Sequence, residues 1–282
     1  MSSGPGVRFR RILPDPPVFF ARELASTNDA LAGWVSRGHA PQRATLLCAR
    51  QTGGRGRPGH RWISRRGDLT MSRWIPPGEG ERIGLAALPL AVAAAVLMTL
   101  DLLGFRETLW KYPNDLYALL SQASPDQEAG KLGGFLVEPV RDAAGTPAGW
   151  IAGIGLNIRP IPDDPQWGKG LPEMRPVSLA GLPGPEDRVP GPLALAGEIS
   201  RTLGTLLSSA TVGEIRSCLD KRLLWKGRWV AYSLHGQTGM ARIEGLEPDG
   251  TIRVRGSDGV MHRLGPSTRN LRPVSGGRGQ RE

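Results

Sequence analysis

Apolar positions along this 282-residue chain recur at two spacings. Period-2 alternation marks short strands, and clusters at i, i+3 and i+4 mark helices. Residues 18–24 read as a first strand. Ser26-Thr27-Asn28-Asp29 then offers helix-capping side chains, and Ala30, Leu31, Trp34 and Val35 share one helical face before Gly38 stops the turn. Residues 45–50 have strand character, and Leu69, Met71 and Ile75 line another strand. Residues 83–100 carry no charge but hold six alanines, a glycine and a proline, with Glu81, Arg82 and Asp101 close on either side. That is a weakly hydrophobic helix suited to a large core rather than a membrane span.

Further on, residues 108–111 read as a strand halted by Pro113, and residues 121–130 as a surface insertion between Ala118 and Lys131. Strands are predicted at 135–140 and 150–158, a Pro-rich loop at 159–190, and helices near 191–208 and 211–222. From Gly227 the texture changes. Short strands at 229–233, 239–245, 251–256 and 260–264 are separated by Gly-Gln-Thr-Gly, Pro-Asp-Gly and Ser-Asp-Gly turns, the pattern of a small antiparallel barrel. The expected organisation is a flexible segment 1–17, a mixed α+β unit 18–224, a barrel 225–274 and a tail 275–282. No internal repeat is visible.

Composition narrows this picture. The net charge of +10 points to anionic partners. Of 36 basic residues only five are lysines (111, 131, 169, 221 and 226), so Lys111 and Lys131 draw notice as compact point charges in an Arg-rich chain. Two cysteines without metal-ligand spacing and four scattered histidines suggest neither a disulfide framework nor a fixed metal site. The Arg- and Pro-rich first twenty residues lack a signal-peptide core, so a cytoplasmic location is expected.

Four motifs carry the chemistry. Residues 53–62 interleave four glycines with three arginines and end on Trp62, a pliable cationic loop that can wrap an anion. Lys111-Tyr112-Pro113-Asn114-Asp115 puts a cation, an amide and a carboxylate at a strand end. Lys131-Leu132-Gly133-Gly134 sets the second lysine beside two positions without side chains. Gly153-Ile154-Gly155-Leu156-Asn157 places two glycines on one strand face, where something must approach the backbone. Each motif alone is weak.

Taken in order with Ser26-Thr27-Asn28 and Gln51, and followed by a small barrel, the set resembles the bacterial biotin protein ligases from about residue 20 to 264. The resemblance implies a class II synthetase-like fold and a two-step reaction. Biotin attacks the α-phosphate of ATP to give biotinyl-5′-AMP and pyrophosphate. A lysine of the biotin carboxyl carrier protein of acetyl-CoA carboxylase then takes the biotin. Step one needs charge neutralisation and alignment rather than a general base.

By the same resemblance, Ser26, Thr27, Asn28, Gln51, Arg55, Gly56, Arg57, Lys131, Gly134, Gly153 and Gly155 bind biotin, the glycines letting its bicyclic ring sit against backbone. Arg55, Arg57, Trp62, Lys111, Asn114, Lys131 and Asn157 face the nucleotide, and Arg57, Lys131, Lys111 and Asp115 act in catalysis. Mg²⁺ arrives with ATP, with Asp115 placed to help position it or the carrier amine. The basic loop is expected to be poorly ordered without ligand and to close over the adenylate.

The chain departs from the family pattern in several places. Tyr112 stands where the family usually has Trp, His60-Arg61 replaces a more usual basic pair, and the 118–130 insertion is longer than typical. Only some eighteen residues precede the first strand, where bifunctional members carry a DNA-binding winged helix, so a monofunctional ligase without DNA or membrane partners is expected. A homodimer through the central sheet's edge strand occurs in relatives, but nothing in the sequence decides it. Two rival readings stand beside the ligase reading. A lipoate–protein ligase is disfavoured by the Gly-Arg-Gly-Arg loop and the barrel. An RNA- or DNA-binding protein is disfavoured because aromatics make up only 6% of residues and the arginines are dispersed.

Overall fold

The computed structural model describes residues 9–120, 129–162, 175–182 and 189–274. Its centre is a mixed eight-stranded sheet: β1 (Arg10–Leu13), β2 (Val18–Ala21), β3 (Thr45–Cys48), β4 (Leu69–Ile75), β5 (Thr108–Lys111), β6 (Asp115–Leu119), β7 (Ala129–Arg141) and β8 (Pro147–Leu156). The spatial order is β1-β2-β3-β4-β8-β7-β6-β5. Among the described strands only β2 and β3 pair in parallel. Where the sequence suggested a loose segment, Arg10–Leu13 instead forms an edge strand, antiparallel to β2. Its Arg-Arg-Ile-Leu sequence hides the alternation that a half-buried strand would show. The 1–8 end of that segment, the heart of the 121–130 insertion, much of the 159–190 loop and the 275–282 tail lie outside the described residues.

The period-2 pattern sorts core from site. On β8, Ala152, Ile154 and Leu156 join the larger apolar cluster. Their alternates Gly153 and Gly155 lie on the opposite face with Ile151, which belongs to the cluster around the first helix. On β4, Leu69, Met71 and Ile75 enter the large core, leaving Thr70 and Ser72 on the other side. Helix α1 (Thr27–Ser36) packs on that other side. Its N-cap Ser26 Oγ accepts from Asp29 N, and Trp34 wedges its ring edge-on against Phe19 at 4.7 Å.

Beneath the sheet run α2 (Leu88–Leu102) and α3 (Pro192–Ser209), followed by α4 (Val212–Asp220), whose capping box joins Thr211 and Glu214. The apolar stretch around α2 is long enough to cross a membrane, yet its alanines and leucines are packed against α3 and the sheet. Small side chains let those elements approach closely, so the helix is a core helix, as its composition suggested.

One charged group is built into this layer. Arg73 is 1% exposed and grips both Glu79 oxygens at 2.7 and 3.2 Å, with Nε reaching Ser200 Oγ at 3.2 Å. The fork satisfies the carboxylate in full, as a buried pair requires.

The second sheet is antiparallel, of order β12-β11-β10-β9-β13. Its strands are β9 (Trp229–Leu234), β10 (Gln237–Leu246), β11 (Ile252–Gly256), β12 (Met261–Leu264) and β13 (Arg269–Pro273). β13 was not foreseen, because Arg-Asn-Leu-Arg-Pro carries one core side chain, Leu271. It pairs with β9 and brings residues 266–271 over the large sheet.

Candidate active site

A cavity of about 500 Å³ opens on the α1 side of the large sheet, within the usual range for small-molecule sites. Its floor comes from α1, β4 and β8. Thr27 donates to Gln51 Oε1 from its backbone N at 2.7 Å and from its hydroxyl at 2.9 Å. Ser72 Oγ lies 2.6 Å from Asn28 Oδ1 and 2.7 Å from Thr27 Oγ1. Asn28 Nδ2 donates to Glu138 Oε2 at 2.7 Å, which fixes the amide's orientation. The result is a rigid floor of neutral hydroxyls and amides.

The rim is cationic. The 53–62 loop folds back on itself, with Gly56 N donating to His60 O and Trp62 N to Gly54 O. Arg57 Nη2 leaves the loop to donate to Pro266 O at 2.7 Å and Thr268 O at 3.0 Å, while Arg269 Nη1 returns a bond to Pro58 O at 3.0 Å. The second sheet therefore anchors the loop. Burial and the neighbouring Arg269 charge pull the Arg57 pKa below its ordinary value, partly opposed by Asp115 and Tyr112. Lys131 Nζ meets Asp115 Oδ1 at 2.7 Å. Lys111 Nζ stands over the rings of Tyr117 and Trp225, 5.2 and 5.0 Å from their centres.

Nearly every residue singled out from sequence lines this one cavity, including Arg55, Arg57 and Lys131. Three readings change. First, Arg55 was expected to supply positive charge, but its guanidinium is a fork on Glu138, at 3.0 and 3.1 Å, with Asp29 at 2.5 Å. Burial works against its charge, and those two carboxylates more than restore it. The group is neutralised locally and ties loop, sheet and helix together.

Second, the glycines line the cavity, and their missing side chains also make room for neighbouring groups. A Cβ on Gly153 would fall 2.3 Å from Asn28 Oδ1, and one on Gly155 2.5 Å from Trp62 Cε2. Those spaces belong to Asn28 and Trp62, and the space above Gly134 belongs to Asn114 and Asp115. Third, Asn157 does not line the cavity. Its Nδ2 donates to Val177 O at 3.0 Å and Lys131 O at 3.4 Å, clamping the 175–179 segment to β7. Asn114 does line it, though its Nδ2 is spent on Phe135 O at 3.0 Å.

Sequence reasoning gave Ser72, Glu138 and residues 268–271 no role. A polar residue alternating with Leu69 and Met71, and a carboxylate within Phe-Leu-Val-Glu-Pro-Val, were the available signals.

Residues 20–157 match the model of the biotin/lipoate A/B protein ligase family. That segment is a biotin/lipoate protein ligase domain. Among solved structures, this chain is similar to the Aquifex aeolicus biotin protein ligase in complex with biotin and ATP, at 24% identity and TM-score 0.69, covering 91% of this chain and 99% of that one. A mutant of the Aquifex enzyme in complex with biotin shares 25% identity, TM-score 0.66, over 91% and 98% of the two chains. The Leishmania major biotin protein ligase in complex with biotinyl-5-AMP follows at 23% identity and TM-score 0.52, over 88% and 98%. The likeness in fold therefore spans both sheets of the chain, not the matched segment alone.

Proposed function

We propose that this chain activates biotin with ATP as biotinyl-5′-AMP and transfers it to a lysine of a biotin carboxyl carrier domain. One observation carries the reading: a neutral hydroxyl-and-amide floor opens directly onto a rim where Arg57, Lys111 and Lys131 converge with a single carboxylate, Asp115. A ligand with an uncharged polar head and an acidic tail fits that gradient, and a nucleotide's phosphates fit the cationic end. The relatives described with biotin, ATP or biotinyl-5-AMP support it.

The floor would serve biotin's ureido ring, with Gln51 Oε1 already held by Thr27 and its Nε2 left to donate. Lys131 and Arg57 would offset the repulsion between carboxylate and α-phosphate, each charge-assisted contact contributing about 1.5–3 kcal/mol. Mg²⁺, which would screen the phosphate charge, fits as an ion carried by the nucleotide. Asp115 is the carboxylate that lines the cavity beside Lys131 and would help position the ion. Once the adenylate forms, Asp115 would be free to exchange Lys131 for the incoming amine.

The test is pyrophosphate release by purified protein with ATP and Mg²⁺. Release that requires biotin, is not supported by lipoate, and is followed by labelling of a carrier domain is expected. Equal or better turnover with lipoate would overturn the reading.

A further inference from the structure

Among the described residues only three buried side-chain polar atoms lack a hydrogen-bond partner, and two of them, Trp62 Nε1 and Tyr112 Oη, belong to residues lining the candidate active site. Both are donors. Folded proteins leave few buried donors unsatisfied, and those that remain call for an explanation. Trp62 already belongs to the expected nucleotide end. Tyr112 does not.

Tyr112 is 3% exposed and sits at the end of β5, between Lys111 and Pro113. Its ring leans edge-on against Trp110, with centroids 5.6 Å apart. It forms part of the wall between the main cavity and an adjoining, largely apolar groove of about 430 Å³; Arg57, Pro113 and Asn114 share that wall. The charges felt at its hydroxyl are those of Arg57 and, from the second sheet, Asp249. Burial raises the phenol's pKa, so the group keeps its proton throughout the neutral range.

A protonated donor without an acceptor, in the positive field of the Arg57 guanidinium, lacks one thing: an electron-rich oxygen. Packing alone does not explain the hydroxyl, since phenylalanine would fill the same space on Trp110 without burying an unpaired polar atom.

We propose that the Tyr112 hydroxyl donates a hydrogen bond to a phosphate oxygen of the bound nucleotide, making Tyr112 a binding residue of the ATP end alongside Arg57. The inference rests on the ligase reading and refines it. Phosphate is favoured over biotin's carboxylate because Tyr112 lies with Lys111, Asn114 and Arg57, whereas the hydroxyl-and-amide floor is built from α1, Gln51 and β4.

Tyr112→Phe removes the hydroxyl and keeps the ring. Titration calorimetry of wild type and variant with a non-hydrolysable ATP analogue, adenosine and biotin, together with Tm measured without ligand, forms the test. The expected result is about a tenfold to hundredfold weaker Kd for the triphosphate, the range for a hydrogen bond to a charged acceptor. Adenosine and biotin affinities are expected to be unchanged and Tm no lower than wild type. An unchanged triphosphate Kd overturns the proposal. So does a loss shared equally by adenosine or biotin, or a fall in Tm with general weakening, since each marks a structural role. Failure of the ligase reading shows separately, as wild-type protein that releases no pyrophosphate with biotin and ATP.

Discussion

Substituting Gly153 by alanine tests whether the site floor is held by steric fit as well as by hydrogen bonds. The new Cβ would lie 2.3 Å from Asn28 Oδ1 and 2.9 Å from its Cγ. Two relaxations are open. The strand can shift and keep Asn28 in place, an overpacking cost of about 1–3 kcal/mol. Alternatively Asn28 can rotate away, losing its bond to the Glu138 carboxylate, about 1.5–3 kcal/mol, and its contact with Ser72, about 0.5–1.5 kcal/mol. The molecule takes the cheaper route, so the loss is about 2 kcal/mol, which for a chain of this size lowers Tm by about 4–8 °C.

The first route moves the strand beneath Asn28 and the second moves the Asn28 amide itself, so in both the floor loses its fit and biotin affinity is expected to fall about tenfold, the value of one hydrogen bond. The decisive assay is a double-mutant cycle on Tm and biotin Kd. In an Asn28→Ala background the added methyl has room, so Gly153→Ala should cost about 1 kcal/mol less there than alone. Strict additivity, or a single mutant with wild-type Tm and biotin Kd, refutes the steric argument.

Other predictions follow from the same geometry. Glu79→Ala strands Arg73 in the core and is expected to cost about 3–5 kcal/mol in urea unfolding, whereas replacing both partners with apolar residues recovers most of it. If the single mutant unfolds like wild type, the pair is not structural. Arg57→Gly removes a rim cation and the loop's tie to Pro266 and Thr268. Biotinyl-5′-AMP should then escape and label bystander protein on a streptavidin blot, and wild-type retention would contradict the lid role. Asn157→Ala should lower Tm by loosening the 175–179 segment while leaving nucleotide Kd within about twofold; a large selective loss of nucleotide affinity would restore Asn157 to the binding set.

Much of this protein was legible in its sequence because the relevant signals are local. A capping serine ahead of Leu31 and Trp34, the alternation of Ala152, Ile154 and Leu156, and glycines interleaved with arginines each act through backbone geometry within a few residues. The order of those motifs carried the family resemblance, and with it the neutral floor and the cationic rim.

Only the tertiary structure decided which charges remain available and what each glycine makes room for. Arg55 looks like Arg57 in the loop, yet it is neutralised by a carboxylate 83 positions away, while Asn28 is oriented by the same Glu138 across 110 positions. Electrostatic neutralisation and atomic overlap depend on distance in space, and a pattern of neighbours along the chain carries no measure of it. For the same reason β1 and β13, with few core side chains of their own, became strands only because a neighbouring strand offered hydrogen bonds.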